Sequence, residues 1–455
     1  MAPSPHTIIP PYLLQHLSEN AEPGVARRAE RTLRTDQSFR ADRTVTPTPA
    51  PSYRPSAIVE GDAVKREIST VNNTEKLPGT LARREGGAAT GDLAVDEAYD
   101  GFGATWTLFH DVYGRNSIDG AGMTLAGSVH YGRGYDNAFW NGERMVFGDG
   151  DGEIFGRFTA SLEVIGHELT HGVTERTAGL AYYGQPGALN EHISDVFGVL
   201  VKQHQLGQNA DAADWLVGAD LLLPGVAGVA IRSMIAPGTA YDDERLGKDP
   251  QPDHMDRFVT TTEDNGGVHI NSGIPNRAFA LAAKAIGGQA WVAAGQIWYD
   301  VLTGGQLGAK ADFATFARQT VAAAGTRFGA DSAEQNGVRG GWTAVGVALD
   351  APTSATDPQP PTDNPSELLL RRTGGVTGVV RERRTSLDEL PKKDARRWST
   401  LLTSHTLVEL AGHDAVADGF CYHVAYHALD LNVTVAEQQL SESQRTLFRR
   451  TLLAE

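Results

Sequence analysis

Residues 167–171 read His-Glu-Leu-Thr-His, and no other five positions restrict the fold and chemistry of this chain as tightly. Two imidazoles four positions apart project from one face of a helix, a single turn from each other. Both ring nitrogens can then grip one zinc ion at about 2 Å, with the Glu168 carboxylate held beside it. Leu162, Ile165, Leu169 and Val173 recur at three- and four-residue steps, which gives that helix an apolar stripe opposite the histidines. The segment Ala160–Ser194 is the centre about which the rest must be arranged.

Glu191 lies 20 residues beyond His171. Ile193, Val196, Phe197 and Leu200 keep helical spacing, which predicts a second helix on which Glu191 and Asp195 share a face. His167, His171 and Glu191 then supply three ligands and leave a fourth position for water, the arrangement of a catalytic zinc site rather than a structural one. Asp195 can accept the far N–H of a zinc-bound histidine and fix its tautomer. A third signature runs from Asp264 to Gly273. Its paired glycines permit a tight loop, with His269 close to the start of a helix expected over Ser272–Ala283. Asp264 can orient His269 and keep it cationic near neutral pH, a positive donor for an oxyanion.

These motifs, in this order and spacing from about Val64 to Leu349, resemble those of the thermolysin-like zinc metallopeptidases, in their protealysin-like branch. The resemblance implies an α+β fold of two lobes, β-rich over 61–200 and helical over 201–350, with the zinc site between them. It implies Glu168 as general base, and Tyr182 and His269 as oxyanion donors; the neighbouring Tyr183 fits a packing role. It gives Asn137 and Ala138 as edge-strand positions that hold the substrate backbone by strand addition. It gives Arg232 as the guanidinium fork on the carbonyl beyond the scissile bond. Phe155, Phe158, Val164 and Ile231 match the leaving-side pocket, so cleavage before large hydrophobic residues is expected. Calcium-rich members carry an acidic cluster near the second helix. Here Glu163 and Asp214 stand at two matching positions, but Lys202, Leu216 and Ala219 occupy others. The double calcium site is therefore expected to be missing, with Lys202 paired to Glu163 or Asp214.

A chain of 455 residues is expected to form two lobes plus accessory segments. Residues 1–60 read as a detachable leader. His6–Leu14 is apolar, and Pro10-Pro11 suggests an extended segment lying in a groove at low entropy cost. An arginine-rich helix over Gly24–Arg34 and a linker marked by Pro47, Pro49, Pro51 and Pro55 follow. The stretch resembles the short propeptide of protealysin-like precursors. That implies Ile9, Pro10, Pro11, Tyr12, Leu13 and Leu14 as an inhibitory segment packed toward the active site. Strands are expected in Val64–Thr74 and Met123–Tyr131, and a helix over Asp92–Tyr113.

Five prolines in 351–365 mark a second linker. Residues 366–455 read as a small α+β domain: a hairpin from Leu368–Gly375 and Gly378–Thr385, a helix over Leu387–Leu402 and a strand over Tyr422–Leu431. This part resembles emfourin, a small protein inhibitor of thermolysin-like peptidases.

The net charge of −16 argues against nucleic acid as a partner. It is unevenly spread. Residues 1–60 carry seven Arg and six Asp/Glu, and 366–455 carry twelve of each sign, so the middle holds the excess. Cys421 is the single cysteine, so no intrachain disulfide and no cysteine metal centre can form. No run of 18 apolar residues suggests a membrane span. No basic segment precedes an unbroken apolar one, so synthesis in the cytoplasm is expected, with leaderless secretion compatible. Two functions fit. One is a zinc-dependent neutral endopeptidase precursor that acts on proteins and peptides and is held latent in cis by its leader and its C-terminal domain. The other is a self-blocked zinc protein that serves as a binding or regulatory module for other peptidases.

Overall fold

The structure, a computed structural model, describes residues 6–42, 62–349, 367–374, 381–404, 406–411, 420–426 and 431–453. They divide into two units, Met1–Thr353 and Ser354–Glu455. The first unit begins with β1 (His6–Thr7), α1 (Pro11–Asn20) and α2 (Pro23–Asp42). Pro10 is extended, with φ −64° and ψ 148°, and Pro11 takes the first helical position. There a missing N–H loses no bond and the fixed φ already suits a helix. The Pro-Pro pair therefore ends the extended stretch instead of prolonging it. Tyr12, Leu13 and Leu14 are helical, so the expectation of an extended segment through Leu14 is corrected to one that stops at Pro10. Ile8, Ile9, Leu13, Leu14 and Leu17 are fully buried, a gross contribution on the order of 10 kcal/mol. α2 continues past the expected end at Arg34. The linker prolines 47–55 and 352–365 lie outside the described residues.

The β-rich lobe follows: β2 (Arg66–Thr70), β3 (Thr80–Arg84), α3 (Leu93–Thr107), β4 (Leu125–Val129), β5 (Ala138–Trp140) and β6 (Met145–Phe147). The Asp92 carboxylate accepts the N–H groups of Ala94 and Val95 and so starts α3. α3 ends in a π-helical turn, Leu108–Val112. The six-stranded sheet runs β1-β5-β6-β4-β2-β3. The outer neighbour of β5, the strand expected to hold substrate, is thus the chain's own N-terminal strand.

α4 (Leu162–Glu175) and α5 (Gly184–Leu206) pack together at the centre of this unit. Their close approach needs glycine. A Cβ on Gly198 would lie 2.4 Å from the carbonyl oxygen of Glu163, and one on Gly166 would lie 3.1 Å from Gly198 Cα. Every residue from Glu163 to Thr174 is buried, so the polar side of α4 faces the interior. α5 runs unbroken through position 200, so a lobe boundary there falls inside a helix. Two small antiparallel pairs follow, β7 (Leu216–Val217) with β8 (Arg232–Ser233) and β9 (Asp242–Asp243) with β10 (Gly247–Lys248). α6 (Asp264–Asn271), α7 (Gly273–Ile286), α8 (Ala294–Thr303), α9 (Phe313–Phe328) and α10 (Ala333–Ala344) complete the helical lobe.

The second unit holds β11 (Glu367–Gly374), β12 (Arg381–Ser386), α11 (Lys392–Thr403), α12 (Thr406–Ala411), β13 (Phe420–Tyr426), β14 (Leu431–Ala436) and α13 (Glu442–Leu453). Its sheet is antiparallel in the order β12-β11-β13-β14. The core joins Leu368, Leu370, Tyr422 and Val424 to Trp398 of α11 and Phe448 of α13. Both β12 and β14 lead through a short 3-10 turn into a helix, so the unit has two similar halves. Among the described residues no helix is long and apolar enough to cross a membrane.

Candidate active site

His167 and His171 lie one turn apart on α4, as their spacing requires, and their Nε2 atoms are 3.1 Å apart. Glu191 on α5 closes the group, with Oε2 3.5 Å from His167 Nε2 and Oε1 3.5 Å from His171 Nε2. All three side chains are fully buried. Each histidine has its far nitrogen occupied. His167 Nδ1–H donates to Asp195 Oδ1 at 2.8 Å, and His171 Nδ1–H donates to Asn190 Oδ1 at 2.8 Å. Both Nε2 lone pairs therefore face each other and Glu191. Among the described residues Glu191 Oε2 accepts no hydrogen bond. Two lone pairs and an unsatisfied carboxylate oxygen turned toward one point form a donor set that fits a zinc ion. It is the sole such triad among the described residues.

Asp195 is tied on every side. It accepts Arg232 Nη2–H at 2.8 Å and Nε–H at 2.9 Å, and Asn276 Nδ2–H at 2.8 Å. Burial alone would raise its pKa; the Arg232 guanidinium and then His167 outweigh burial and hold it well below the usual carboxylate range. Glu168, next to the histidines, is fully buried and accepts the Trp140 N–H at 3.2 Å. Burial, with Glu191 second, pushes its pKa well up.

Asp264, Asn265, Gly266 and Gly267 all have positive φ, between 50° and 80°. This left-handed turn, which the two glycines adopt without strain, brings the Asp264 side chain back onto the following helical turn. Asp264 Oδ1 accepts His269 Nδ1–H at 2.5 Å and Oδ2 accepts the His269 backbone N–H at 2.8 Å. His269 thus sits inside α6, ahead of the helix expected from Ser272. Burial works against its charge, but Asp264 and Glu191 outweigh it and raise the pKa above the ordinary histidine value. Tyr182 OH donates to Glu191 Oε1 and lies 3.2 Å from His269 Nε2. Tyr183 is exposed.

The N-terminal strand occupies this cleft. His269 Nε2 is 3.1 Å from the Thr7 carbonyl oxygen, and Arg232 Nη1–H donates to the Ile8 carbonyl at 3.1 Å. The Ile8 N–H donates to the Ala138 carbonyl at 3.3 Å, and the Ile9 N–H to Asn137 Oδ1 at 3.0 Å. Asn137 Nδ2–H returns a bond to the Ile9 carbonyl at 3.2 Å. Phe155, Phe158, Val164 and Ile231 are buried in the same apolar core as Ile8. Thr7, Ile8 and Ile9 therefore make these contacts, while Pro11, Tyr12, Leu13 and Leu14 anchor α1 beside them.

Sequence reasoning missed Thr7 and Ile8, and also Asn190 and Ser194, whose Oγ is 3.0 Å from His171 Nδ1. Asn190 and Ser194 are one turn apart and each precedes Glu191 or Asp195 by one residue, so the second helix had carried the signal. Asp36 of α2 was missed too; it accepts Tyr135 OH at 2.5 Å and Asn137 Nδ2–H at 3.0 Å.

The fold and this site define a metallopeptidase of the thermolysin class, and the chain belongs to the thermolysin family. Residues 59–175 match the thermolysin metallopeptidase catalytic domain and 178–347 its alpha-helical domain. Residues 370–452 match emfourin. An extracellular metalloprotease of Pectobacterium carotovorum subsp. carotovorum is 52% identical over 346 residues, covering 75% of this chain and 96% of that one. Thermolysin of Alicyclobacillus acidocaldarius subsp. acidocaldarius is 41% identical over 266 residues, covering 57% and 46%. The solved precursor of protealysin, a metalloproteinase from Serratia proteamaculans, aligns with a TM-score of 0.68 at 52% identity, covering 75% of this chain and all of that one. The protein is an enzyme precursor of this family, with an emfourin domain at its C-terminal end.

Proposed function

We propose that the chain is a neutral zinc endopeptidase that cuts before large hydrophobic residues and is held latent by its leader. One observation carries this reading. The leader takes every backbone contact expected of a substrate: Thr7 carbonyl toward His269, Ile8 carbonyl on Arg232, Ile8 N–H on Ala138, Ile9 N–H on Asn137. The Thr7–Ile8 peptide then stands for the scissile bond and Ile8 for the residue that follows it, which favours a large apolar side chain in the pocket of Phe155, Phe158, Val164 and Ile231.

His167, His171 and Glu191 would hold zinc, which when bound supplies Lewis acidity to the carbonyl and to a water. Glu168 takes the proton of the attacking water and delivers it to the leaving amine. His269, cationic beside Asp264, and Tyr182 donate to the oxyanion. Arg232, Asn137 and Ala138 hold the peptide in register. Asp195 positions His167 and Arg232 together, a link between metal shell and substrate clamp. Lys202 lies 3.6 Å from Glu163 and 3.0 Å from Asp214, which supports the reading that its ammonium stands where calcium-rich members hold their double calcium site.

Glu168→Gln tests the assignment. After leader removal its turnover on casein should fall by roughly 10²–10⁴-fold while bound zinc stays equimolar with protein. Full activity in a zinc-loaded variant removes Glu168 as the base. The alternative, a self-blocked zinc protein that acts only by binding other peptidases, predicts no zinc-dependent casein cleavage by the leader-free wild type.

A further inference from the structure

The leader touches the cleft a second time, through α2. The stem of Arg28 lies over Gly134, where a Cβ would sit 2.7 Å from Arg28 Cδ. Its guanidinium donates to Glu153 Oε1 at 2.5 Å. Two residues after Gly134 stands Asp136, which is fully buried. Among the described residues neither Asp136 carboxylate oxygen accepts a hydrogen bond, and neither does Asp151 Oδ2. Burial and then the Asp151 charge push the Asp136 carboxyl well above the usual carboxylate range, and Arg28 is the charge that acts against them. A carboxylate buried without a partner is costly. One guanidinium, supplied by the leader, thus binds Glu153 directly over a glycine floor and acts on Asp136 through its field.

The register of β5 says what belongs there when the leader is absent. His6 pairs with Trp140 and Thr7 with Phe139, and Ile8 and Ile9 continue onto Ala138 and Asn137. The next residue of an extended peptide falls opposite Asp136. The leader leaves the strand at Pro10 to begin α1, and Thr32 of α2 fills the gap: its Oγ1 accepts the Asp136 N–H at 3.1 Å, the bond an extended peptide's carbonyl would take.

We propose that the slot filled by Arg28 becomes, once the leader has gone, a subsite for an arginine or lysine side chain at the third residue beyond the scissile bond, with Asp136 as its specificity-determining carboxylate. The inference rests on the substrate register proposed above. Its test uses the folded full chain from which the leader has been cut by limited proteolysis. Three quenched peptides, alike except for Arg, Gln or Glu at that third residue, are compared by kcat/KM. The Arg peptide should exceed the Glu peptide about tenfold, and the ratio should collapse toward one in Asp136→Asn. A ratio near one in the wild type, or one that persists in Asp136→Asn, overturns the subsite. If Asp136→Asn does not fold, the wild type decides. A lysine peptide should be cut about tenfold faster than its acetyllysine counterpart, which keeps the chain but not the charge, and equal rates overturn the subsite. Equal cleavage of all three peptides removes only the subsite, whereas cleavage of none removes the endopeptidase reading itself.

Discussion

His130 has a φ of 58° and stands between two carboxylates, with Nδ1 2.9 Å from Asp149 and Nε2 3.0 Å from Asp92. It joins the loop after β6 to the start of α3. Burial opposes its charge, but Asp149 and Asp92 overcome this and raise its pKa. A histidine whose folded pKa lies above its unfolded value stabilises fully below about pH 6.5 and loses that contribution as pH rises through the folded value. His130→Asn, which tolerates the same backbone angle, should cost about 1 kcal/mol at pH 5.5. The gap in melting temperature between variant and wild type should narrow by pH 8.5. A gap that widens instead contradicts the clamp. At this scale the sequence was legible where chemistry repeats on a helix: His167, His171, Glu191 and Asp195 needed only spacing. Asp36, Thr7 and Ile8 were not, because their partners lie about 100 or more positions away and no local period marks such a pairing.

At the scale of elements, composition located α3 from Leu93 through its π turn at Val112 but misplaced other boundaries. Pro10-Pro11 reads as extended, yet Pro11 opens α1, since proline suits both a polyproline segment and a helix start. α4 shows an amphipathic period, yet it is buried on all sides because its polar face holds the metal-site residues. Between α5 and β7, Lys202 bridges Glu163 and Asp214. Burial raises the pKa of Glu163 while the ammonium lowers it, and Glu163 Oε1 also accepts the Gly218 N–H at 3.1 Å. On the reading proposed above, the Lys202 ammonium serves here in place of a bound calcium ion. A chelator that removes calcium and spares zinc should leave the melting temperature of the precursor unchanged to within about 2 °C. A drop of ten degrees would reveal a calcium site here.

Across the whole molecule, the leader and the emfourin domain are both covalently attached. Tethering keeps a weak inhibitor at an effective concentration in the millimolar range. Cutting the leader from the folded chain should raise casein hydrolysis by at least about a hundredfold. Comparison with a form that ends near Asp350 separates the tail's share, and equal activity of full-length, leader-free and tail-free forms would refute latency. The leader also covers a strand edge. Ala138-Phe139-Trp140 is a short, apolar stretch whose outward amides are matched by β1. Stripped of that cover, the same amides offer a seam for any stray strand, including that of a neighbouring copy, the kind of contact from which insoluble stacks grow. A chain that folds with β1 already seated keeps this seam closed while copies are concentrated. Removal of the leader is then what should open it.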